Sequence, residues 1–284
     1  MPTSWFITGS SRGLGRALVG AAVRAGDVVA ATARRPEQLA DLVSQFGDRV
    51  AAVPLDVTEL GAASRALGEA RDRFGSVDVV VNNAGYANVS PIETTTDEDF
   101  RTQFETNFWG VVAVSKAAIP LMREQGGGVI IQISSVGGRV GGSPGIASYQ
   151  AAKFAVDGFS RVLAVETAPF GIAVVVVEPS GFATDWAGSS MTVHAVPTEY
   201  EQTVGAMNSR MRQGTAGAAG DPERAAEIIV QVAHHKDRPS HLPLGVNAVQ
   251  MSLEYSRRQL DEATAWESVS RSADYGQAYP VELR

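Results

Sequence analysis

The sequence contains no cysteine, which excludes disulfides, thiolate metal sites and a cysteine nucleophile and is compatible with a reducing compartment. It also lacks a basic excess. With 24 Lys and Arg against 31 Asp and Glu, the formal charge is −7, which disfavours general attraction to nucleic acid or an anionic membrane. Strongly apolar runs such as Ile172 to Val177 fall far short of the ~20 residues that a membrane-spanning helix needs. The opening Pro2-Thr3-Ser4-Trp5-Phe6-Ile7-Thr8 has no basic segment before an apolar core, so no secretory leader is expected and a cytoplasmic location is. Hydrophobic residues at 44% and charged residues at 19% argue against disorder. Glycine is in excess: 29 of 284 is about 10%, against a usual ~7%.

β-Branched runs recur at Trp5–Thr8, Val28–Thr32, Val50–Leu55, Val77–Val81, Val129–Ile133 and Ile172–Val177. Several are apolar throughout, as expected for strands covered on both faces. Between them lie stretches of helical length at Gly13–Ala25, Pro36–Phe46, Glu59–Phe74, Asp97–Glu124 (read as two helices) and Ser148–Ala168. This alternation predicts an α/β protein with a doubly wound parallel sheet and right-handed crossovers. No linker divides it, so residues 1–284 are read as a single domain. After Pro179 the alternation weakens, and residues 185–220 form a Gly-, Ala-, Ser- and Thr-rich insertion. Within it Thr198 and Glu201 have capping-box spacing, and Tyr200, Val204, Met207 and Met211 form an amphipathic stripe. Further helices are expected over Pro222–His235 and Val249–Leu260. Leu242–Gly245 is a last strand or loop, and 247–284 a C-terminal extension.

The run Thr8-Gly9-Ser10-Ser11-Arg12-Gly13-Leu14-Gly15 follows the first strand and opens the first helix. Glycines there let the backbone turn sharply and approach a pyrophosphate, while the helix N-terminus offers free N–H groups. The spacing is Gly-x3-Gly-x-Gly, wider at the front than the common dinucleotide fingerprint. The second strand ends in Ala33-Arg34-Arg35 with no acid nearby, and Arg12 is a third basic group. An acid there would bind a ribose 2′-hydroxyl, whereas arginines accommodate a 2′-phosphate, so NADP(H) is the expected cofactor. Asp56-Val57 after the third strand is placed to contact adenine, although an Asp before a helix equally serves as an N-cap.

Tyr149 and Lys153 are four apart in a helical stretch, so their side chains share one face, and Ile133-Ser134-Ser135 ends the preceding strand. An ammonium beside a phenol lowers its pKa from ~10, which would let Tyr149 move a proton at ordinary pH. Together with Thr8–Gly15, Asn82-Asn83-Ala84-Gly85 and Asn107-Phe108-Trp109-Gly110, these motifs occur in an order and spacing that resemble the short-chain dehydrogenase/reductase family over about residues 4–185.

That resemblance implies a three-layer Rossmann fold with a helical lid over 185–220. It makes Tyr149 the general acid/base, Lys153 its electrostatic partner and holder of the nicotinamide ribose, Ser135 the orienter of the substrate oxygen, and Asn107 the anchor of a proton-relay water. Cofactor contacts would come from Gly9, Ser11, Arg12, Gly13, Leu14, Gly15, Arg34, Arg35, Asp56, Val57, Asn83, Ala84, Gly85, Tyr149, Lys153, Pro179, Gly181, Phe182 and Thr184. The family's Pro-Gly turn appears here as Pro179-Ser180-Gly181, so it must bend differently or use Gly181. Tyr149 stands fourteen positions after Ser135, one more than is common in the family, which the glycine-rich 137–145 loop accounts for.

The activity so implied is hydride transfer between NADP(H) and a ketone, aldehyde or secondary alcohol. Trp186, Met191, Tyr200, Met207 and Met211 suggest a medium-sized or bulky apolar substrate, or simply pack the lid on the body, while Val136-Gly137-Gly138, the Arg34-Arg35 pair and the long C-terminal tail resemble the steroid- and retinoid-type carbonyl reductases. The alternatives are a dinucleotide-binding regulator without catalysis and a dehydratase or epimerase on the same fold. His194, His234, His235 and His241 form no metal-ligand motif, so no metal is expected, and His234-His235 read as charges at a helix C-terminus. The family association predicts a homo-oligomer, dimer or tetramer, through helices over 106–124 and 148–168. Glycines at 9–15, 85, 126–128, 137–145 and 181 are expected where ligands approach backbone.

Overall fold

The structure is a computed structural model and describes residues 2–183, 191–214 and 220–277, with the backbone alone for 211–214. Seven parallel strands form the central sheet in the order β3-β2-β1-β4-β6-β7-β9. They are β1 (Ser4–Ile7), β2 (Val28–Ala33), β3 (Val50–Pro54), β4 (Val79–Asn82), β6 (Gly128–Ile133), β7 (Ile172–Pro179) and β9 (His241–Leu244). Chain order reverses between β1 and β4, so the crevice beyond their carboxyl ends is where a ligand of such a sheet belongs.

Strand side chains alternate between two buried layers. Trp5 and Ile7 of β1 pack with α1 (Gly13–Arg24), α2 (Ala40–Phe46) and α9 (Pro222–His234). Phe6 points to the opposite layer, formed with α3 (Ala62–Phe74), α5 (Gly110–Glu124) and α7 (Ala147–Thr167). Because both faces are covered, strands such as Val79–Val81 are apolar throughout. Polar anchors fix the middle of the sheet: the Asn82 amide donates to Gln132 Oε1 at 2.9 Å and Ser115 Oγ at 3.2 Å. Among the described residues no helix is long and apolar enough to cross a membrane.

Several expectations are corrected. Residues 97–124 are one continuous helical run, in which α4 (Asp97–Phe104) passes through a π-helical turn over Glu105–Trp109 into α5. Val77 precedes β4, which begins at Val79. A second, two-stranded parallel sheet pairs β5 (Ala87–Val89) with β8 (Met191–Val193), each too short to register as a strand in sequence. The capping box does not form: Thr198 opens a 3₁₀ turn behind Pro197, followed by a π-turn over Glu201–Gly205 and α8 (Ala206–Gly214). A long α10 (Val246–Ala265) exceeds the expected 249–260 at both ends.

Gly126–Gly128 lie at the amino end of β6, away from the crevice. A Cβ at Gly127 would meet the Gly171 carbonyl oxygen at 2.9 Å, so these glycines serve turn packing. His234 is not a free cap charge. Its Nε2 lies 2.8 Å from Asp27 Oδ2, which also accepts from Trp5 Nε1 at 2.8 Å and locks α9 to the start of β1.

Candidate active site

The glycine loop leaves β1 and is held from three sides. Gly9 and Gly13 adopt φ of +69° and +54°, a region costly for other residues. A Cβ at Gly15 would sit 2.3 Å from the Gly9 carbonyl oxygen and 2.4 Å from Asn83 Nδ2, so that glycine serves the closure of the loop upon itself. The Asn83 amide donates to the carbonyls of Thr8 and Gly9, while Thr8 Oγ1 accepts from the backbone N–H groups of Asn83 at 2.9 Å and Ala84 at 3.0 Å. Asn83 and Ala84 thus act first as a brace between β4 and the loop. Ser11 and Leu14 are half-buried, and Arg12 is exposed just before α1.

Arg34 and Arg35 sit exposed beyond β2 and form no ion pair among the described residues. Asp56 does not cap α3, whose N-cap is Gly61. Its Oδ1 instead accepts from Thr58 N at 3.0 Å and Thr58 Oγ1 at 2.7 Å, a local turn. Val57 packs against Gly110, where a Cβ would approach to 2.7 Å.

Ser135 follows β6, and Tyr149 and Lys153 lie on the first turns of α7 with their side chains buried, as the i, i+4 spacing requires. The Ser135 hydroxyl acts on the Tyr149 phenol, favouring its ionised form. Lys153 Nζ donates to the Ile133 carbonyl at 2.7 Å and stands 5.8 Å from the centre of the Tyr149 ring. Burial dominates both titrations: it pushes the Tyr149 phenol up to about 12, with Ser135 opposing, and the Lys153 ammonium down to about 8. The expected lowering of the Tyr149 pKa is therefore reversed in the protein by itself, because desolvation outweighs an ammonium bound elsewhere.

The π-turn places Asn107 fully buried under Gly85. A Cβ at Gly85 would meet Asn107 Oδ1 at 2.5 Å and Lys153 Nζ at 3.7 Å, so only glycine lets these two groups share one space. Asn107 Nδ2 is committed to the carbonyls of Tyr86 at 3.0 Å and Gln103 at 3.1 Å.

After β7, the Pro179 carbonyl accepts from Val136 N at 3.0 Å and Ser180 N donates to the Leu244 carbonyl at 3.0 Å. The turn needs no left-handed residue at either Ser180 or Gly181. Phe182 bridges Gly220, and its ring fills the space a Cβ there would take, within 2.4 Å. Residues 181–183 and Gly220 are thereby zipped together. Thr184 and Trp186 lie outside the described residues, as does the Met211 side chain.

Around Tyr149 an apolar cluster forms from Ala87, Val89, Ile146 and Val204, with Met191, Val193, Val196 and Tyr200 packed on it. Met191 and Tyr200 were expected here. Val89 and Ile146 were missed, for want of any periodic signal in such short elements. Tyr200 OH donates to Glu93 Oε2 at 2.6 Å, tying the turn over Thr198–Tyr200 to the segment before α4. Asp157, Glu178 and His241, far apart in sequence, have ligand-type atoms within 4.8 Å of one another, but Arg139 ion-pairs with Glu178 and His241 contacts Asp157.

This geometry is matched by comparison. The family model described as short chain dehydrogenase matches residues 4–193. The chain belongs to the short-chain dehydrogenase family. It is 49% identical over 251 residues to oxidoreductase BOA17 of Botryotinia fuckeliana (strain B05.10), covering 88% of this chain and 91% of that one. A short-chain dehydrogenase from Streptomyces avermitilis superposes with a TM-score of 0.89 at 39% identity, over 96% of this chain and 98% of its own. An alcohol dehydrogenase from Thermococcus sibiricus, solved with 5-hydroxy-NADP, gives 0.71 at 25% identity, over 86% of this chain and 97% of its own. This short-chain dehydrogenase is thus an oxidoreductase of a family that binds nicotinamide dinucleotides.

Proposed function

We propose that this enzyme is an NADP(H)-dependent carbonyl reductase, or the reverse alcohol dehydrogenase, acting on apolar ketones, aldehydes or secondary alcohols. The observation that carries the reading is the buried Tyr149 and Lys153, with Lys153 Nζ 5.8 Å from the Tyr149 ring centre and the Ser135 hydroxyl acting on the phenol, set in an apolar wall of Val89, Ile146 and Val204. The residues fit a dinucleotide. Left-handed Gly9 and Gly13 shape a loop at a helix N-terminus, and Arg34 and Arg35, exposed and without an ion pair among the described residues, offer guanidinium groups where a 2′-phosphate would lie.

Gly9, Ser11, Arg12 and Gly13 would hold the phosphates, and Lys153 the nicotinamide ribose. Once bound, the reduced cofactor supplies the hydride. Ser135 Oγ and Tyr149 OH would converge on one substrate oxygen. Tyr149 gives that oxygen its proton as the carbonyl is reduced, a role suited to a phenol that burial keeps protonated. Lys153 supplies positive charge close to the ring, and Asn107, which like Lys153 Nζ lies beside Gly85, would anchor a relay water. The apolar cluster excludes bulk water from this transfer.

The reading also includes self-association through α5 and α7, supported by exposed Trp109, Phe154, Val162 and Val165 on that side. Absorbance of the reduced nicotinamide, followed with NADPH and NADH in parallel over a panel of ketones, aldehydes and alcohols, tests the function. Tyr149→Phe is expected to abolish turnover while dinucleotide still binds. Full turnover by that variant would overturn the mechanism.

A further inference from the structure

The four-residue helix α6 (Gly137–Val140) begins two residues after Ser135 and is too short to hold its own orientation. It is wedged onto α7, since a Cβ at Gly138 would lie 2.7 Å from both Lys153 Cβ and Ser134 Oγ. Its first N–H, that of Gly137, donates to Ser135 Oγ at 3.0 Å, and Gly138 N donates to the Ser135 carbonyl at 2.9 Å. Any tilt of α6 therefore moves the Ser135 hydroxyl.

The far side of α6 is gripped by charge. Arg139 Nη1 lies 3.2 Å from both carboxylate oxygens of Glu178, the penultimate residue of β7, which is 1% exposed. Beyond Glu178, His241 of β9 and Asp157 of α7 meet at 2.5 Å, and Arg161 holds the second Asp157 oxygen at 2.9 Å. Asp157 is one helical turn past Lys153. Glu178, His241 and Asp157, whose polar side-chain atoms lie within 4.8 Å of one another, thus bring α6, just beyond Ser135, to the helix carrying Tyr149 and Lys153. Burying a carboxylate is an expensive way to hold a strand, and an apolar side chain would serve β7 as well. A directional partner for Arg139 is what the carboxylate adds.

We propose that Glu178, acting through Arg139, is a positioning residue that clamps α6 against α7 and so sets the Ser135 hydroxyl on Tyr149. The inference rests on the reading of Ser135 and Tyr149 as the pair that binds the substrate oxygen. Both are side chains whose placement decides rate, and a displacement of about 1 Å costs up to roughly 100-fold.

Glu178→Gln keeps the shape and removes the charge. The expected result is a fall in kcat of roughly 10- to 100-fold with the dinucleotide dissociation constant unchanged. Amide hydrogen exchange is expected to rise in residues 134–142 and to stay at the native level in α1, α3 and α9. Arg139→Met, made from the more exposed end of the pair, is expected to give the same exchange pattern, and Arg139→Lys to recover part of the rate. Native kcat together with native exchange in Glu178→Gln and Arg139→Met would overturn the proposal, as would exchange raised evenly through β7, β9 and α9. Ser135→Ala separates the two levels: full turnover in that variant refutes the active-site reading, and the exchange pattern then decides by itself whether Glu178 holds α6.

Discussion

The Asn83 side-chain amide donates to the carbonyl oxygens of Thr8 at 2.9 Å and Gly9 at 3.1 Å, so the end of β4 closes the glycine loop that β1 begins. Asn83→Ala leaves both carbonyls without this donor, at a cost of about 1–3 kcal/mol. A lower thermal midpoint and weaker dinucleotide binding are expected. Unchanged binding, measured by titration calorimetry, would show that the loop keeps its shape without the brace.

On the proposed reading, Arg34 and Arg35 select NADP(H) over NAD(H). Arg34→Asp and Arg35→Asp are each expected to shift the ratio of kcat/KM for NADPH over NADH by roughly 10- to 100-fold toward NADH, the value of one or two charge-assisted hydrogen bonds. Equal use of the two cofactors by the unmodified enzyme would count against the assignment.

Lys153 gives stability a pH dependence. Its pKa falls from 10.5 unfolded to about 8 in the folded protein, so across that interval the unfolded chain binds more protons and stability rises with pH. Tyr149, raised from 10.0 to about 12, acts oppositely above pH 10. Urea denaturation at pH 7.5, 8.5 and 9.5 should show the unmodified, ligand-free protein gaining stability relative to Lys153→Met, by a few kcal/mol at most. A constant difference would mean that Lys153 is not desolvated.

Asp27 is buried and accepts from Thr3 N at 3.2 Å as well as from Trp5 and His234. Asp27→Ala strands the Trp5 indole N–H in the core and frees the end of α9, with an expected loss of about 1–3 kcal/mol. Calorimetric unfolding measures it. The site lies at the opposite end of β1 from the glycine loop, so kcat is expected to be preserved.

Much of the fold was legible in the chain because the signals are local. Runs such as Val79–Val81 and Val174–Val177 are apolar without interruption because they sit between two helical layers. Asp221 and Pro222 mark the start of α9 by capping chemistry, the Asp221 side chain accepting from Glu223 N at 2.9 Å. The π-turn at Asn107 and the β5–β8 pairing were not legible. One replaces an α-turn with no change in periodic pattern, and the other joins three-residue segments about 100 positions apart.

By itself the sequence determined that a parallel sheet would form, that a glycine loop would open its first helix, and that Tyr149 and Lys153 would share one helix face. Each follows from period and neighbour identity. Tertiary structure alone decided that burial governs their protonation, that Asn83 serves the loop before any ligand, and that Glu178 meets Arg139 behind Ser135. Those depend on desolvation and on contacts between residues that only the folded sheet brings together.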